Sequence, residues 1–325
     1  MSEGTLTGER LELAVRIYDT MLRIRRFEER VGELFAAGEL PGFVHLSIGQ
    51  ESVAAGIVSA LRDDDFITAT HRGHGHILAK GARIAPMMAE LFGRTTGYCK
   101  GKGGSMHIVD IAIGVLGANG ILGAGQPIAV GAAMSARLRG TDQVVATFFG
   151  EGASAQGAVH EAMNLAGCWQ APILFVAEIN GYAELTPYEI HASVPSIAVR
   201  GAAYGIPATT VDGVDVLAVH DAATEAVAAI RAGGGPRMIE IRTQRWHGHY
   251  EGDPQRYRPD EELARLPELD PLAHLEPRLL AAGVERARLD ALDADVRREL
   301  DEALEFARQS PLPDASALLE DVYAR

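Results

Sequence analysis

Two residues whose types suit metal and phosphate chemistry stand at the ends of two apolar runs. Glu151 lies in the small-residue turn Gly150-Glu151-Gly152-Ala153-Ser154-Ala155-Gln156-Gly157, directly after Val144-Val145-Ala146-Thr147-Phe148-Phe149. Asn180 stands at the end of a second apolar run, Pro172 to Glu178, and a helix-like stretch to Ala166 separates the two. A carboxylate and an amide are oxygen ligands suited to a hard divalent cation. Small residues at a helix start leave backbone N–H groups open to a phosphate. Parallel strands joined by a crossover helix finish on one sheet edge, and that edge is where open α/β sheets bind ligands. The pattern predicts a metal ion holding a phosphate between Glu151 and Asn180.

Two further loops carry cations and imidazoles. Thr70-His71-Arg72-Gly73-His74-Gly75-His76 follows the short run Phe66-Ile67-Thr68-Ala69. Three histidines invite a zinc reading, but the spacing is not that of a helical histidine pair, and no cysteine or carboxylate stands nearby in sequence. A cationic loop facing an anion, with Arg72 making bidentate contacts to phosphate, is the plainer reading; the alternative is a surface arginine in a strand-end loop. Arg245-Trp246-His247-Gly248-His249 follows the last predicted strand and reaches the same edge. Its histidines are candidates for diphosphate contact or proton transfer, set against the commoner solvated loop histidine. Gly117-Ala118-Asn119-Gly120-Ile121-Leu122-Gly123 does not place its glycines as a dinucleotide-binding loop does.

The elements that must position these residues alternate. Residues 9–37 carry apolar side chains at steps of three and four (Leu13, Ile17, Met21, Ile24, Phe27, Val31, Leu34), which predicts a long amphipathic helix. Ser52 to Leu61 and Pro86 to Phe92 also read as helices. Residues 93–124 are glycine-rich, irregular and too long for an ordinary connector, and their apolar residues favour a functional loop. Gly125 to Leu138 is a helix of small residues, fit for close packing at a subunit contact or on its own sheet. Then come the strand Ala208–Val211, the helix Val216–Ala232 and the strand Met238–Thr243. This order implies an α/β fold: a parallel sheet with helices on both faces. We expect one such domain over residues 1–325, with N-terminal helices in 9–61 and a C-terminal helical extension over 271–325.

Composition narrows the class. With 325 residues the chain can bury a large core. Its 47% hydrophobic and 23% charged residues are those of a soluble globular enzyme. A net charge of −14 argues against nucleic acid as a partner. Cys99 and Cys168 cannot form a disulfide framework and suggest a reducing compartment. Met1-Ser2-Glu3-Gly4 lacks the basic start of a secretory leader. No apolar run approaches the ~20 residues of a membrane span. The expectation is a cytoplasmic protein without a membrane partner.

The Gly150-Glu151-Gly152 to Asn180 segment resembles the thiamine-diphosphate motif. By that resemblance the metal ligands are Glu151, Asn180 and the backbone carbonyl of Tyr182, and the interval between 151 and 180 fits the family's spacing. The resemblance extends over nearly the whole chain. It includes Gly42-Phe43-Val44-His45-Leu46, Gly49-Gln50-Glu51, His71-Arg72-Gly73-His74-Gly75, Gly97-Tyr98-Cys99-Lys100-Gly101-Lys102-Gly103-Gly104-Ser105-Met106-His107, Trp246-His247-Gly248-His249 and Asp321-Val322-Tyr323-Ala324. Together these resemble the alpha subunit of the decarboxylating component of 2-oxo acid dehydrogenases: the pyruvate, branched-chain 2-oxo acid and acetoin types. The Thr70–His76 and Gly97–His107 stretches look most like the acetoin branch.

The resemblance implies thiamine diphosphate and Mg2+ as cofactors. It implies an α2β2 heterotetramer with a beta subunit that supplies the glutamate activating the cofactor, and a lipoyl-bearing acyltransferase partner. It implies cofactor contacts from His71, Arg72, Gly120, Leu122, Gly150, Gly152, Ala153, Asn180 and His249, with His249 and His45 as catalytic histidines. The implied chemistry cleaves a small-molecule 2-oxo acid, or acetoin, beside its carbonyl and passes the two-carbon fragment to the lipoyl group. Mitochondrial relatives carry a phosphorylated serine at the position of Tyr250, which excludes serine phosphorylation there.

This chain departs from the motif twice. It has Glu151 where the family usually has aspartate, and Ile179 where a first asparagine usually stands. A carboxylate one methylene longer requires either a withdrawn loop or a displaced ion, because Mg2+ holds to near-octahedral geometry. Side chains alternate along a strand, so Ile179 is expected to point away from Asn180 into apolar packing. Beside a working dehydrogenase subunit, the departures leave two alternatives. One is an acyloin-forming or decarboxylating enzyme of the same fold, and the other is a non-catalytic paralogue.

Overall fold

In the computed structural model, which describes residues 6–322, the chain opens with helix α1 (Gly8–Ala36) and helix α2 (Glu51–Val58). Strand β1 (Phe66–Ala69) leads into the short helix α3 (His74–Ala79) and then α4 (Ile84–Leu91). Strand β2 (Val115–Ala118), helix α5 (Gly125–Leu138), strand β3 (Val145–Gly150), helix α6 (Gly157–Trp169) and strand β4 (Ile173–Ile179) follow. A small hairpin, β5 (Tyr182–Ala183) with β6 (Thr186–Pro187), precedes the single turn α7 (Tyr188–His191). Strand β7 (Ala208–Asp212), helix α8 (Val216–Ala229) and strand β8 (Arg237–Arg242) complete the main sheet. Helices α9 (Asp260–Arg265), α10 (Pro271–Ala281) and α11 (Arg286–Gln309) form the C-terminal segment.

Six strands pair in the order β2-β1-β3-β4-β8-β7, each parallel to its neighbours. The central strands β3 and β4 are buried almost throughout, as parallel strands covered on both faces must be. Two apolar clusters flank the sheet. One gathers α1, α2, α4, α8 and α11 around Phe27, Ile57, Phe148 and Val176; the other gathers α5 and α6 around Val159, Phe175 and Met163. A third cluster, with Tyr18, Leu272 and Leu275, joins α1 to α10.

The long loop after α4 differs from its sequence reading. It contains β2, which pairs with β1 on the sheet's outer edge, and the 3-10 turn Ile111–Ile113. Four residues with a glycine in the middle give too short a signal to read as a strand. The loop between Gly93 and Gly104 owes its shape to Glu90. That buried carboxylate accepts from the backbone N–H groups of Cys99 (2.8 Å), Gly101 (2.9 Å), Gly103 (2.7 Å) and Gly104 (3.1 Å). Met1-Ser2-Glu3-Gly4 and Tyr323-Ala324 lie outside the described residues. Among the described residues no helix is long and apolar enough to cross a membrane.

Candidate active site

The carboxyl ends of β3 and β4 lie side by side, with Gly150 in register with Glu178. The turn after β3 is pinned from below. Ser154 donates to the Glu151 carbonyl, Arg200 donates to the Ser154 carbonyl at 2.7 Å, and the His191 ring sits 3.0 Å from the Glu151 carbonyl. Glu151, 1% exposed, reaches across to the neighbouring strand tip, where the Asn180 N–H donates to its Oε1 at 3.2 Å. Here the longer side chain reaches from the β3 tip to the β4 tip. Burial pushes its carboxyl pKa up to about 7, against the pull of backbone N–H donors including that of Asn180.

Asn180 is held from both sides. Its Nδ2 donates to Gln50 Oε1 at 2.9 Å, and its Oδ1 accepts from the Tyr182 N–H at 3.3 Å. Gly181, with φ +97, makes the turn that brings Tyr182 back beside Asn180; a side chain at that position would strain the backbone. Ile179 joins the apolar cluster on the α5–α6 side of the sheet, where alternation along the strand sends it.

These tips open into a cavity of about 340 Å3 lined by His71, Arg72, Leu122, Gly150, Glu151, Gly152, Ala153, Asn180, Tyr182 and His249, among others. Of the sequence-selected residues, Gly120 stands apart: it is exposed, beside the His107 ring. His45 does not line the cavity but packs on two rings that do, His71 at 4.6 Å and His249 at 5.0 Å between centroids. Arg72 is buried under the cavity. Its Nη1 donates to the Leu46 carbonyl at 2.5 Å and its Nη2 to the His249 carbonyl at 3.0 Å, which leaves its other N–H groups for an anion. Burial, and then Arg245, lower the guanidinium pKa to about 10. Such a cation without a carboxylate partner suits a phosphate.

The histidines sort differently from their order in sequence. His74 and His76 turn inward on α3. His74 sits 3.0 Å from Glu28 and 2.9 Å from Ser105, while His76 sits 3.1 Å from Glu178 and stacks on Phe148. Only His71 of that trio reaches the cavity, where it groups with His45 and His249, their ring nitrogens within 4.8 Å of one another. Burial, and then Arg72, depress the pKa of His45 to about 3 and that of His249 to about 4, and hold His71 well below the usual range. All three are neutral at pH 7. The surroundings that resist protonation also resist a divalent cation, so the trio is better suited to neutral hydrogen bonding than to metal binding.

His249 is fixed by its own loop: its N–H donates to Asp253 Oδ2 at 2.7 Å, Tyr257 donates to the same oxygen at 2.7 Å, and Arg245 Nη2 donates to the Tyr257 hydroxyl at 2.5 Å. Gln50, Glu178 and Arg245 also line the cavity, although the sequence alone gave them no role there. The signal for Arg245 was its place just beyond β8, on the same carboxyl edge as the rest.

The sequence matches the family described as "Dehydrogenase E1 component" over residues 19–316. The chain belongs to this family. It is 50% identical over 313 residues to the alpha subunit of acetoin:2,6-dichlorophenolindophenol oxidoreductase of Bacillus subtilis (strain 168), covering 96% of this chain and 94% of that one. It is 46% identical over 314 residues to the subunit of the same name from Cupriavidus necator, again covering 96% and 94%. It is 44% identical over 321 residues to the pyruvate dehydrogenase E1 component subunit alpha of Zymomonas mobilis, covering 98% and 90%. This E1-type chain is an oxidoreductase alpha subunit of the thiamine-diphosphate-dependent 2-oxo acid dehydrogenase type. The cavity fits that cofactor's tail. It offers a buried cation free of carboxylate partners, a small-residue turn over a carboxylate, and unpartnered buried nitrogens on His71, Gln50 and Arg245.

Proposed function

We propose that the chain is the alpha subunit of an acetoin dehydrogenase. In this reading Arg72, His71, the Gly150-Glu151-Gly152-Ala153 turn and His249 hold the diphosphate. Glu151, Asn180 Oδ1 and the Tyr182 carbonyl hold Mg2+, and Leu122 faces the aminopyrimidine. One observation carries it: the Glu151 carboxylate, the Asn180 amide and the unpaired Arg72 cation converge on a single cavity. When bound, thiamine diphosphate supplies the nucleophilic carbon and the electron sink for cleaving the bond beside a carbonyl.

The protein's own groups orient and protect that step. His45 Nδ1 is buried without a partner and its imidazole is neutral, so it can accept a hydrogen bond and, packed on His71 and His249, orient the rings that face the substrate. His249, also neutral, is aimed by Asp253 and can relay or donate one hydrogen bond. In this reading neither arginine at the cavity is left for a substrate carboxylate: Arg72 faces the diphosphate, and Arg245 donates to the Glu184 carbonyl and the Tyr257 hydroxyl. A neutral hydroxyketone asks for the neutral donors and acceptors that remain, and two of the relatives bear acetoin in their names.

The reading includes a beta subunit in an α2β2 assembly, which supplies the activating glutamate, and a lipoyl-bearing acyltransferase as acceptor. Cys99 and Cys168 are free thiols, in keeping with the cytoplasm. The test is reconstitution with the beta subunit and reduction of 2,6-dichlorophenolindophenol. The expected kcat/KM for acetoin exceeds that for pyruvate or a branched 2-oxo acid by about tenfold or more, one or two well-placed hydrogen bonds being enough for that ratio. Preference for pyruvate would contradict the acetoin assignment, and acyloin formed without any acceptor would point to the lipoyl-independent alternative.

A further inference from the structure

None of the roles above involves Gln50, yet it is 2% exposed and lines the cavity. Its backbone is fixed from two directions. Gly49, with φ +91, turns the chain; its N–H donates to Glu51 Oε2 at 3.0 Å and its carbonyl accepts from Thr243 Oγ1 at 2.9 Å. The Ile48 carbonyl accepts from the Trp246 N–H at 3.1 Å, and the Gln50 N–H donates to the Ser47 carbonyl at 2.9 Å. A Cβ on Gly49 would collide with the Trp246 ring and the Gln244 carbonyl. The side chain therefore projects from a rigid turn clamped between the start of α2 and the loop leaving β8.

The orientation of its amide follows from donors and acceptors alone. The Tyr182 N–H can only donate, so the Asn180 atom facing it is Oδ1. Asn180 Nδ2 must then face Gln50, and only the Gln50 oxygen can accept from it. That leaves Gln50 Nε2, a donor of two hydrogens, buried and without a partner at the wall of the cavity. Buried donors without partners are rare in folded proteins and ask for an acceptor.

We propose that Gln50 is a further binding and positioning residue of this site. Its Nε2 donates to an oxygen of the bound metal–diphosphate group, and its Oε1 fixes the Asn180 amide so that Oδ1, with a lone pair still free, faces the metal. The proposal rests on the cofactor-binding reading above. It also explains how one asparagine suffices where Ile179 offers no second amide: the fixing of Asn180 comes from across the cavity rather than from its own strand.

The experiment is isothermal titration of thiamine diphosphate with Mg2+ into the assembled alpha–beta complex, using wild type, Gln50→Met, Gln50→Glu and Asn180→Ala. Gln50→Met fills the same space without a donor or acceptor. Gln50→Glu keeps the acceptor for Asn180 Nδ2 but removes the donor. Both are expected to weaken binding by about ten- to a hundredfold, the value of a hydrogen bond to a charged group, while the cofactor-free complex still folds and assembles. The Gln50→Glu loss should shrink as the pH is lowered and the carboxyl regains a proton to donate, a dependence that a merely structural role would not produce. If Asn180→Ala loses binding but both Gln50 variants bind like wild type, the Gln50 proposal is overturned and the cofactor reading stands. The Gln50 proposal also fails if Gln50→Glu alone binds like wild type at every pH, because the donor then has no acceptor. If wild type itself fails to bind, both fall together.

Discussion

Glu151 shows how a single methylene is put to use. On the sequence alone, a longer carboxylate in place of aspartate is an obstacle to octahedral metal geometry. In the folded chain Oε1 sits 3.2 Å from the Asn180 N–H, so the added length ties the two strand tips together. The histidines carry the other residue-scale consequence. His45 and His249 have folded-state pKa values of about 3 and about 4, below the ordinary histidine value of 6.5. As pH falls below 6.5 the unfolded chain takes up protons that the folded chain refuses, so stability present above that pH is lost progressively toward about pH 4. Above 6.5 both states are neutral and these groups contribute nothing. Replacing His249 with asparagine should therefore flatten the acid side of the stability profile. The fall in Tm from about pH 7 to about pH 5, measured by calorimetry, should be smaller in His249→Asn by roughly 2–4 °C. An unchanged acid limb would mean that His249 titrates normally. Residue types and spacing made Glu151, Asn180, Arg72 and His249 legible. They could not separate His71 from His74 and His76, because that depends on which side of α3 meets Glu28 and Glu178.

The site's loops are shaped by elements that lie outside it. Glu28 on α1 accepts from Ser47 through both N–H and hydroxyl, at 3.0 and 2.7 Å, and holds His74, which in turn touches Ser105. One buried carboxylate thus ties together the strip carrying His45 and Gln50, the start of α3, and the glycine-rich loop. A second, Glu90 on α4, gathers four backbone N–H groups of that loop. Glu90→Gln would turn an amide N–H toward donors that have nowhere else to go. We expect a loss of about 2–4 kcal/mol and rapid hydrogen exchange at the Cys99, Gly101, Gly103 and Gly104 amides. Exchange as slow as in wild type would show that the loop is held by something else. Periodicity made α1, α8 and the strands β3 and β4 readable to within a few residues. It missed β2, the β5–β6 hairpin and the anchoring by Glu90, since a glutamate in an apolar helix carries no mark of what its oxygens will meet.

At the scale of the whole molecule, the parallel sheet explains why residues far apart in sequence share one cavity. β1, β3, β4 and β8 all point their carboxyl ends the same way, so Arg72, Glu151, Asn180 and Arg245 come to one edge. The architecture could be read from strand–helix alternation. The strand order, and with it the approach of the Gly49-Gln50 turn to Asn180 from across the cavity, could not. The C-terminal helices take part through a buried ion-pair network: Arg25 on α1 bonds Glu51 at 2.5 Å and Asp270, at the start of α10, at 3.0 Å. They thereby steady the same turn. The central claim is that the β3 and β4 tips grip a divalent ion bridging a diphosphate. Its most direct test is the anomalous density of Mn2+ in crystals of the alpha–beta complex grown with thiamine diphosphate. One peak is expected, about 2 Å from Glu151, Asn180 Oδ1 and the Tyr182 carbonyl. A peak elsewhere, or cofactor density beside an ion that Glu151 and Asn180 do not touch, would contradict it.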